Sequence, residues 1–305
     1  MSLLTCEFDD GDVREWHATT SGVERRVNRT YTPSLFVDGQ MKEAAQLRAI
    51  LQSDPKVADT GIERWYTSLG ARERTRVLRV DLDRVTEVRT LAREIRSLHE
   101  PEQLHPGTFR LANVNLAPQF RYCVETDTSP VPARDLRMLD LALPETALQD
   151  GDITALTADG TELGDTPTNV LDALRERLAT DDPYVLCCST ARIVPFCHET
   201  AAELGVDDFY LGREPGYEQL AGASTYESYG QVGHSPARYR VPGRATVDRS
   251  NSFLLDESGI PGLLDLVDRS WRPLQETAWG SIGTILTAIQ VREALDRDVL
   301  VPWNK

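Results

Sequence analysis

Apolar and polar positions alternate along residues 3–8 and 13–19, on either side of the acidic, glycine-containing residues 9–12. This period of two predicts an opening β-hairpin. Residues 31–37 (YTPSLFV) read as a strand that begins at Pro33. Over residues 41–51, Ala44, Ala45, Leu47 and Ile50 or Leu51 recur at helical spacing, and Asp54-Pro55 stops the helix. Residues 62–69 and 74–82, separated by Gly70, return to alternation and predict a second hairpin. Residues 85–98 then place Val88, Leu91, Ile95 and Leu98 on one helical face.

Residues 127–134 (DTSPVPAR) are proline-rich and polar, the signature of a domain boundary. Beyond them, residues 136–143 and 153–158 read as strands. A helix follows Thr168, its candidate cap, and buries Val170, Leu171, Leu174 and Leu178. Residues 184–188 form a short apolar strand, residues 193–204 a helix ended by Gly205, and residues 244–248 a further strand. Residues 262–267 and 284–295 are helical. Strands that lead into alternating helices and strands predict a mixed α/β architecture.

The chain has 305 residues, 40% hydrophobic and 27% charged, which fits two globular domains or one domain with a large insertion. No apolar run approaches the roughly 18 residues of a membrane helix, and the opening MSLLTCEFDDGD has no leader pattern, so a cytoplasmic protein without membrane contact is expected. The formal net charge is −15, and Lys42, Lys56 and Lys305 are the only lysines. An acidic, arginine-based surface suits high-salt cytoplasm and points to a halophile. At about 1 M salt the Debye length falls to about 3 Å, so this charge does not exclude DNA as a partner. The five cysteines show no C-x-x-C pair, which predicts neither a disulfide framework nor a zinc site. Cys187 and Cys188 lie in an apolar run and are expected in the core.

Three stretches carry a family resemblance. GQVGHSPARYRVPGRATVDRSNSF (residues 230–253) resembles the proofreading-exonuclease region of archaeal family B DNA polymerases. GSIGTILTAIQVREALDRDVLVPWNK (residues 280–305) resembles the segment that precedes the palm in that family, and APQFRYCVETDTSPV (residues 117–131) resembles part of its N-terminal domain. The resemblance implies an α+β N-terminal domain over 1–131, a ribonuclease-H-like mixed sheet flanked by helices over 132–258, and a helical segment over 259–305 that packs back on the N-terminal domain and leads to an absent palm. It also places Phe8, Pro33, Ser34 and Arg121 where the family senses template uracil. Ser34 departs from the aromatic residue common there.

A proofreading nuclease holds two divalent ions with carboxylate oxygens. The family supplies an Asp-x-Glu on the first strand, an Asp at the start of the helix after the fourth, and a late Tyr-x-x-x-Asp. In RMLDLALPE, Ala142 and Pro144 fall at the first two positions. Asp140 is on the face of Ala142 one pleat earlier, and Glu145 has the wrong parity. In CCSTARIVPFCHETAAELG, Ile193 or Val194 stands at the next, and no Tyr-x-x-x-Asp lies between Asp248 and Gly262. The resemblance therefore implies an inactivated exonuclease. No cofactor is expected for this chain, magnesium belonging to an intact polymerase or exonuclease. The palm aspartate motifs are not in the sequence either.

The rival enzyme is an active metal-dependent nuclease that recruits Asp140, Glu145 and Asp248. A protein-interaction subunit of a replication complex is the third alternative. Arg238, Tyr239, Arg240 and Arg244 interleave guanidinium groups with a ring, a pattern that tracks phosphates and stacks a base. With Arg121 and Tyr122 they are the expected contacts to single-stranded or primer-template DNA. A palm and fingers chain or replication factors are the protein partners considered. His198, beside Cys197 and Glu199, reads as part of a core-edge helix, residues 280–283 (GSIG) as a capping turn, and Asp9, Asp10 and Asp12 as turn and surface charge.

Overall fold

The computed structural model describes residues 1–98, 109–132, 136–228 and 231–303. Ala133, Arg134, Gly230, Asn304 and Lys305 of the stretches quoted above lie outside them. The chain divides into two compact units, one of Met1–Cys6, Glu15–Arg26 and Pro130–Ile285, the other of Glu7–Arg14, Val27–Ser129 and Leu286–Lys305. The break at Ser129 falls within the proline-rich stretch. The closing residues divide at Ile285.

The chain opens with strands β1 (Ser2–Asp9), β2 (Asp12–Ala18) and β3 (Val23–Asn28), in the order β1-β2-β3. Asp10 and Gly11 turn the hairpin with φ of 49° and 98°. Asp and Gly tolerate this left-handed region best.

The second unit contains β4 (Ser34–Asp38), α1 (Met41–Leu51), β5 (Val57–Trp65), β6 (Thr75–Leu82), α2 (Val88–Ser97), β7 (Arg110–Ala112) and α3 (Pro118–Thr126). Its four strands pair antiparallel in the order β5-β6-β4-β7, a split βαβ arrangement. Period-two alternation points Leu35, Val37, Leu78, Val80 and Leu82 to one face, where they meet Ala44, Leu47 and Leu51 of α1 and Val88, Leu91 and Ile95 of α2. The other face buries Phe36, Val77 and Ala112 with Leu300. β4 starts at Ser34, one residue after the predicted start at Pro33, which has no N–H for the ladder. β5 covers Val57–Trp65, displaced from the predicted 62–69. It is an edge strand with mostly exposed or half-exposed positions, so its start carries little apolar signal.

The first unit runs β8 (Met138–Ala142), α4 (Glu145–Asp150), β9 (Thr157–Ala158), β10 (Thr161–Glu162), α5 (Pro167–Asp181), β11 (Val185–Cys188) and α6 (Ile193–Glu203). It continues through β12 (Glu218–Ala221), β13 (Ser224–Ser228), β14 (Gln231–Ser235), β15 (Arg238–Arg240), β16 (Ala245–Asp248), α7 (Phe253–Ser270, interrupted at Gly259) and α8 (Leu274–Ala278). α9 (Ile282–Leu295) leads into the second unit. The five-stranded sheet has the order β10-β9-β8-β11-β16. β8, β9 and β10 form an antiparallel meander, and β11 and β16 add in parallel. This is the ribonuclease-H-like mixed sheet. Its core joins Leu139, Leu141, Leu186 and Cys188 to Val170, Leu171 and Leu174 of α5 and Ile193, Val194 and Cys197 of α6.

Three local readings are corrected here. Residues 153–158 are not one strand: Asp152 accepts the N–H of Thr154, winds Ile153–Ala155 into a 3₁₀ turn, and leaves only Thr157–Ala158 for β9. The cap of α5 is Thr166, whose hydroxyl accepts the N–H of Asn169 at 3.3 Å, because Pro167 takes the first helical position and draws Thr168 inside. Glu145 is not on a strand; it opens α4 directly after Pro144.

Candidate nucleic-acid interface

Register within the sheet decides which carboxylates meet. Asp140 on β8 pairs with Cys187 on β11, and Cys187 with Val247 on β16. Leu141, Cys188 and Asp248 are paired one position further along. Because paired residues share a face and neighbours alternate, Asp140 and Asp248 point to opposite faces of the sheet. Asp140 is half-exposed and forms an ion pair with Arg249. Asp248 is buried, its Oδ1 accepting from the Ser250 N–H at 3.0 Å and the Ser250 hydroxyl at 2.7 Å, while its Oδ2 has no hydrogen-bond partner among the described residues. Burial pushes its carboxyl above the usual range, partly offset by those Ser250 bonds and by the backbone N–H of Ala191.

Glu145 is held by Arg192 at 2.8 Å. Ala142 is exposed beside Asp140's face, and Ile193 is fully buried in the core. Two divalent ions would need several of these oxygens to converge, and they do not. Among the described residues no three acidic, histidine or cysteine side chains form a metal-holding group.

The basic and aromatic candidates separate into two classes. Arg244 is buried: its guanidinium donates to the carbonyls of Leu178 (3.3 Å), Gly212 (3.4 Å) and Pro183, and so ties the end of α5 to β16. Burial, aided by neighbouring Arg213, pulls its pKa down to about 10. Arg240 is buried on the Cys6 carbonyl (2.9 Å) and on Glu218. Between them Gly243 turns with φ +74°, and a Cβ there would stand 2.9 Å from the Arg213 side chain and 3.0 Å from the Trp16 ring. Neither buried arginine offers a surface for a phosphate.

Arg238 and Tyr239 are only half-buried. The Arg238 guanidinium lies 5.6 Å from the centroid of the Trp279 ring. The Tyr239 ring meets Tyr217 edge-on at 6.0 Å, Tyr217 lies against His198 at 5.0 Å, and His198 rests on Phe209 at 5.7 Å. His198 thus sits at the edge of the core, as the helix pattern predicts, and burial lowers its pKa. Gln275 of α8 holds this row in place by donating to the Tyr239 carbonyl at 3.3 Å. Trp279 as the partner of Arg238, and Tyr217 as the partner of Tyr239, were not legible in the sequence. Strand β12, which follows Tyr217, is exposed throughout and has no apolar face to mark it.

In the second unit, Arg121 is 1% exposed. It donates to the Ser34 carbonyl and to Glu125 Oε1, both at 2.6 Å, and to the carbonyls of Asn113 and Val114. Ser34 turns its hydroxyl to Asp81 at 2.7 Å. Tyr122 is buried edge-on against Tyr31 at 4.8 Å and Phe8 at 6.3 Å, its hydroxyl accepting from Asn28 at 3.0 Å. Phe8 and Pro33 line a small open pocket of about 50 Å³ with Tyr31, Val85, Asp83 and Arg84, whereas Ser34 and Arg121 do not. Asp10 and Asp12 also border it, paired respectively with Arg84 and Arg29.

The chain shares its fold with an archaeal family B DNA polymerase. All of it superposes on the family B DNA polymerase from the hyperthermophilic archaeon Pyrobaculum calidifontis, with a TM-score of 0.66, 16% sequence identity and 51% of that chain covered. The chain thus spans about half the length of that polymerase, and at this identity the likeness speaks for the fold alone. No protein-family model and no curated protein matches the sequence. The mixed α/β fold that the resemblance implies is the fold observed.

Proposed function

We propose that the chain is the N-terminal and exonuclease-like portion of a family B DNA-directed DNA polymerase, acting in DNA replication or repair, which holds single-stranded or primer-template DNA without cutting it. The observation that carries this is the opposite facing of Asp140 and Asp248 in a sheet of ribonuclease-H-like order. Ala142 and Pro144 at two of the family's carboxylate positions, Ile193 in the core, and the lack of a metal-holding group among the described residues support this reading. The scaffold would then position DNA, and primer extension would fall to palm residues outside these 305. The acidic, arginine-based composition supports a haloarchaeal source. Phe8 and Pro33 keep an open pocket where uracil sensing would occur, while Arg121 serves as an internal tie.

The test incubates end-labelled single-stranded DNA with the full chain and magnesium or manganese at high salt. The DNA is expected to be retained and to keep its ends. Chelator-sensitive loss of terminal nucleotides would establish the rival nuclease, and no retention at any salt would leave the protein-interaction subunit.

A further inference from the structure

We infer that Arg137 and Arg213, with Arg244 behind them, form a binding site for an oxyanion of the phosphate class at the amino ends of β8, β11 and β16, independently of the DNA-holding role proposed above. Strand register brings the groups together. Met138, Val185 and Ala245 are paired across these three parallel strands, and Arg137, Tyr184 and Arg244 each stand one residue earlier. Two backbone bonds extend the ladder to that row, from the Tyr184 N–H to the Arg137 carbonyl at 2.8 Å and from the Ala245 N–H to the Tyr184 carbonyl at 3.0 Å. Arg213 joins from the loop beyond α6, its backbone N–H donating to the Pro242 carbonyl at 2.8 Å.

Three guanidinium groups meet one carboxylate there. Asp182, at the C-cap of α5, pairs with Arg137 at 2.9 Å, with Arg213, and with Arg244 at 3.6 Å. Among the described residues none of the three has a second carboxylate partner. This reverses the balance of the molecule, in which 48 acids face 33 bases and Arg79 alone is shared by Asp59, Glu63 and Asp81. Three positive charges against one negative leave an excess that a further anion would neutralise. Burial, and then repulsion from Arg213 and Arg137, pulls the Arg244 pKa down to about 10, and Asp182 offsets only part of this.

Exposure decides which groups an anion meets. The Arg137 side chain is half-exposed and that of Arg213 mostly covered, while Arg244 is buried and acts only through its charge. Both outer groups are held ready. Arg137 lies over the Tyr184 ring at 4.5 Å. Arg213 is fixed by the carbonyls of Gly243 at 3.1 Å and Pro183 at 3.3 Å, and its guanidinium keeps further N–H groups beyond those that they and Asp182 take. Planar forks held in this way meet the oxygens of a phosphate with little loss of conformational freedom.

The experiment titrates potassium phosphate into the full chain at one fixed potassium chloride concentration and follows it by isothermal calorimetry, with circular dichroism melting to establish that each variant is folded. The parent is expected to bind saturably and Arg137→Gln roughly ten-fold more weakly. Asp182→Asn should bind more tightly, because asparagine tolerates the left-handed backbone at this position (φ 44°) and removes the competing negative charge. A purely structural ion pair predicts no such gain. Should Asp182→Asn fail to fold, the comparison with Arg137→Gln decides alone. Oligothymidylate added to the phosphate complex then assigns the source: displacement of phosphate gives the site to a DNA backbone, and persistence of phosphate binding gives it to the free ion. Absence of saturable heat from the parent, equal affinity of the parent and Arg137→Gln, or no gain in a folded Asp182→Asn overturns the site and leaves the DNA-holding role standing.

Discussion

Asp248 accepts two bonds from Ser250 at one carboxylate oxygen, is also favoured by the backbone N–H of Ala191, and sits among Leu141 and Cys188 on the core face of the sheet. Burial holds its pKa above the usual 3.8. An acid of this kind keeps its proton in the folded chain at pH values where the unfolded chain has lost it. Stability therefore declines as pH rises from the usual carboxylate value through the raised one, and stays lowered above it. Asp248→Asn retains an oxygen for Ser250 and removes the charge. It is expected to raise the melting temperature at neutral pH and to leave it unchanged below pH about 3, where both states hold the proton. Melting curves by circular dichroism across pH check this, and a lower melting temperature at neutral pH would show that the charge is compensated. Among single residues, Cys187 and Cys188 are buried as the apolar run predicts. The buried arginines were not legible in the same way. Arg244 is satisfied by carbonyls at Leu178, Pro183 and Gly212, none of them near it in sequence.

At the scale of elements, helices with a clean apolar stripe were read most closely: α1 spans Met41–Leu51, as its periodicity predicts. Elements without such a stripe were invisible. β3, with the burial pattern of a solvated strand, and β7, three residues long, gave no signal, and α3 is nine residues of mixed character opened by Pro118. The closing segment illustrates what holds the second unit together. Val299 bridges Tyr66 and Pro302 bridges Ala112, while Trp303 enters the core with Arg96 stacked 3.8 Å above its ring. Trp303→Ala removes a buried aromatic side chain and leaves a cavity, so a loss of about 3–5 kcal/mol is expected. Chemical denaturation followed by tryptophan-independent circular dichroism reads it; a loss below about 1 kcal/mol would mean that the segment adds little to the unit's stability.

The whole molecule carries its charge as a single-signed excess. Its ion pairs are mostly on the surface, where each contributes about 0–1 kcal/mol, so the repulsion of 15 uncompensated negative charges outweighs what salt takes from them. Stability should rise from low to molar potassium chloride, by roughly 2–4 °C in melting temperature for each kcal/mol of repulsion relieved. A falling melting temperature across that range would contradict it. The sequence by itself determined the periodicities, hence most helices and strands and the α/β class, together with the charge excess. These are local or additive properties, fixed by the repeat of the backbone and by counting. Only the tertiary structure decided that Arg121, Arg240 and Arg244 lie inside, that Asp140 and Asp248 face apart, that Tyr217 meets Tyr239 and that Arg238 meets Trp279. Each depends on strand register and on neighbours tens or hundreds of residues apart, and no local pattern encodes that distance.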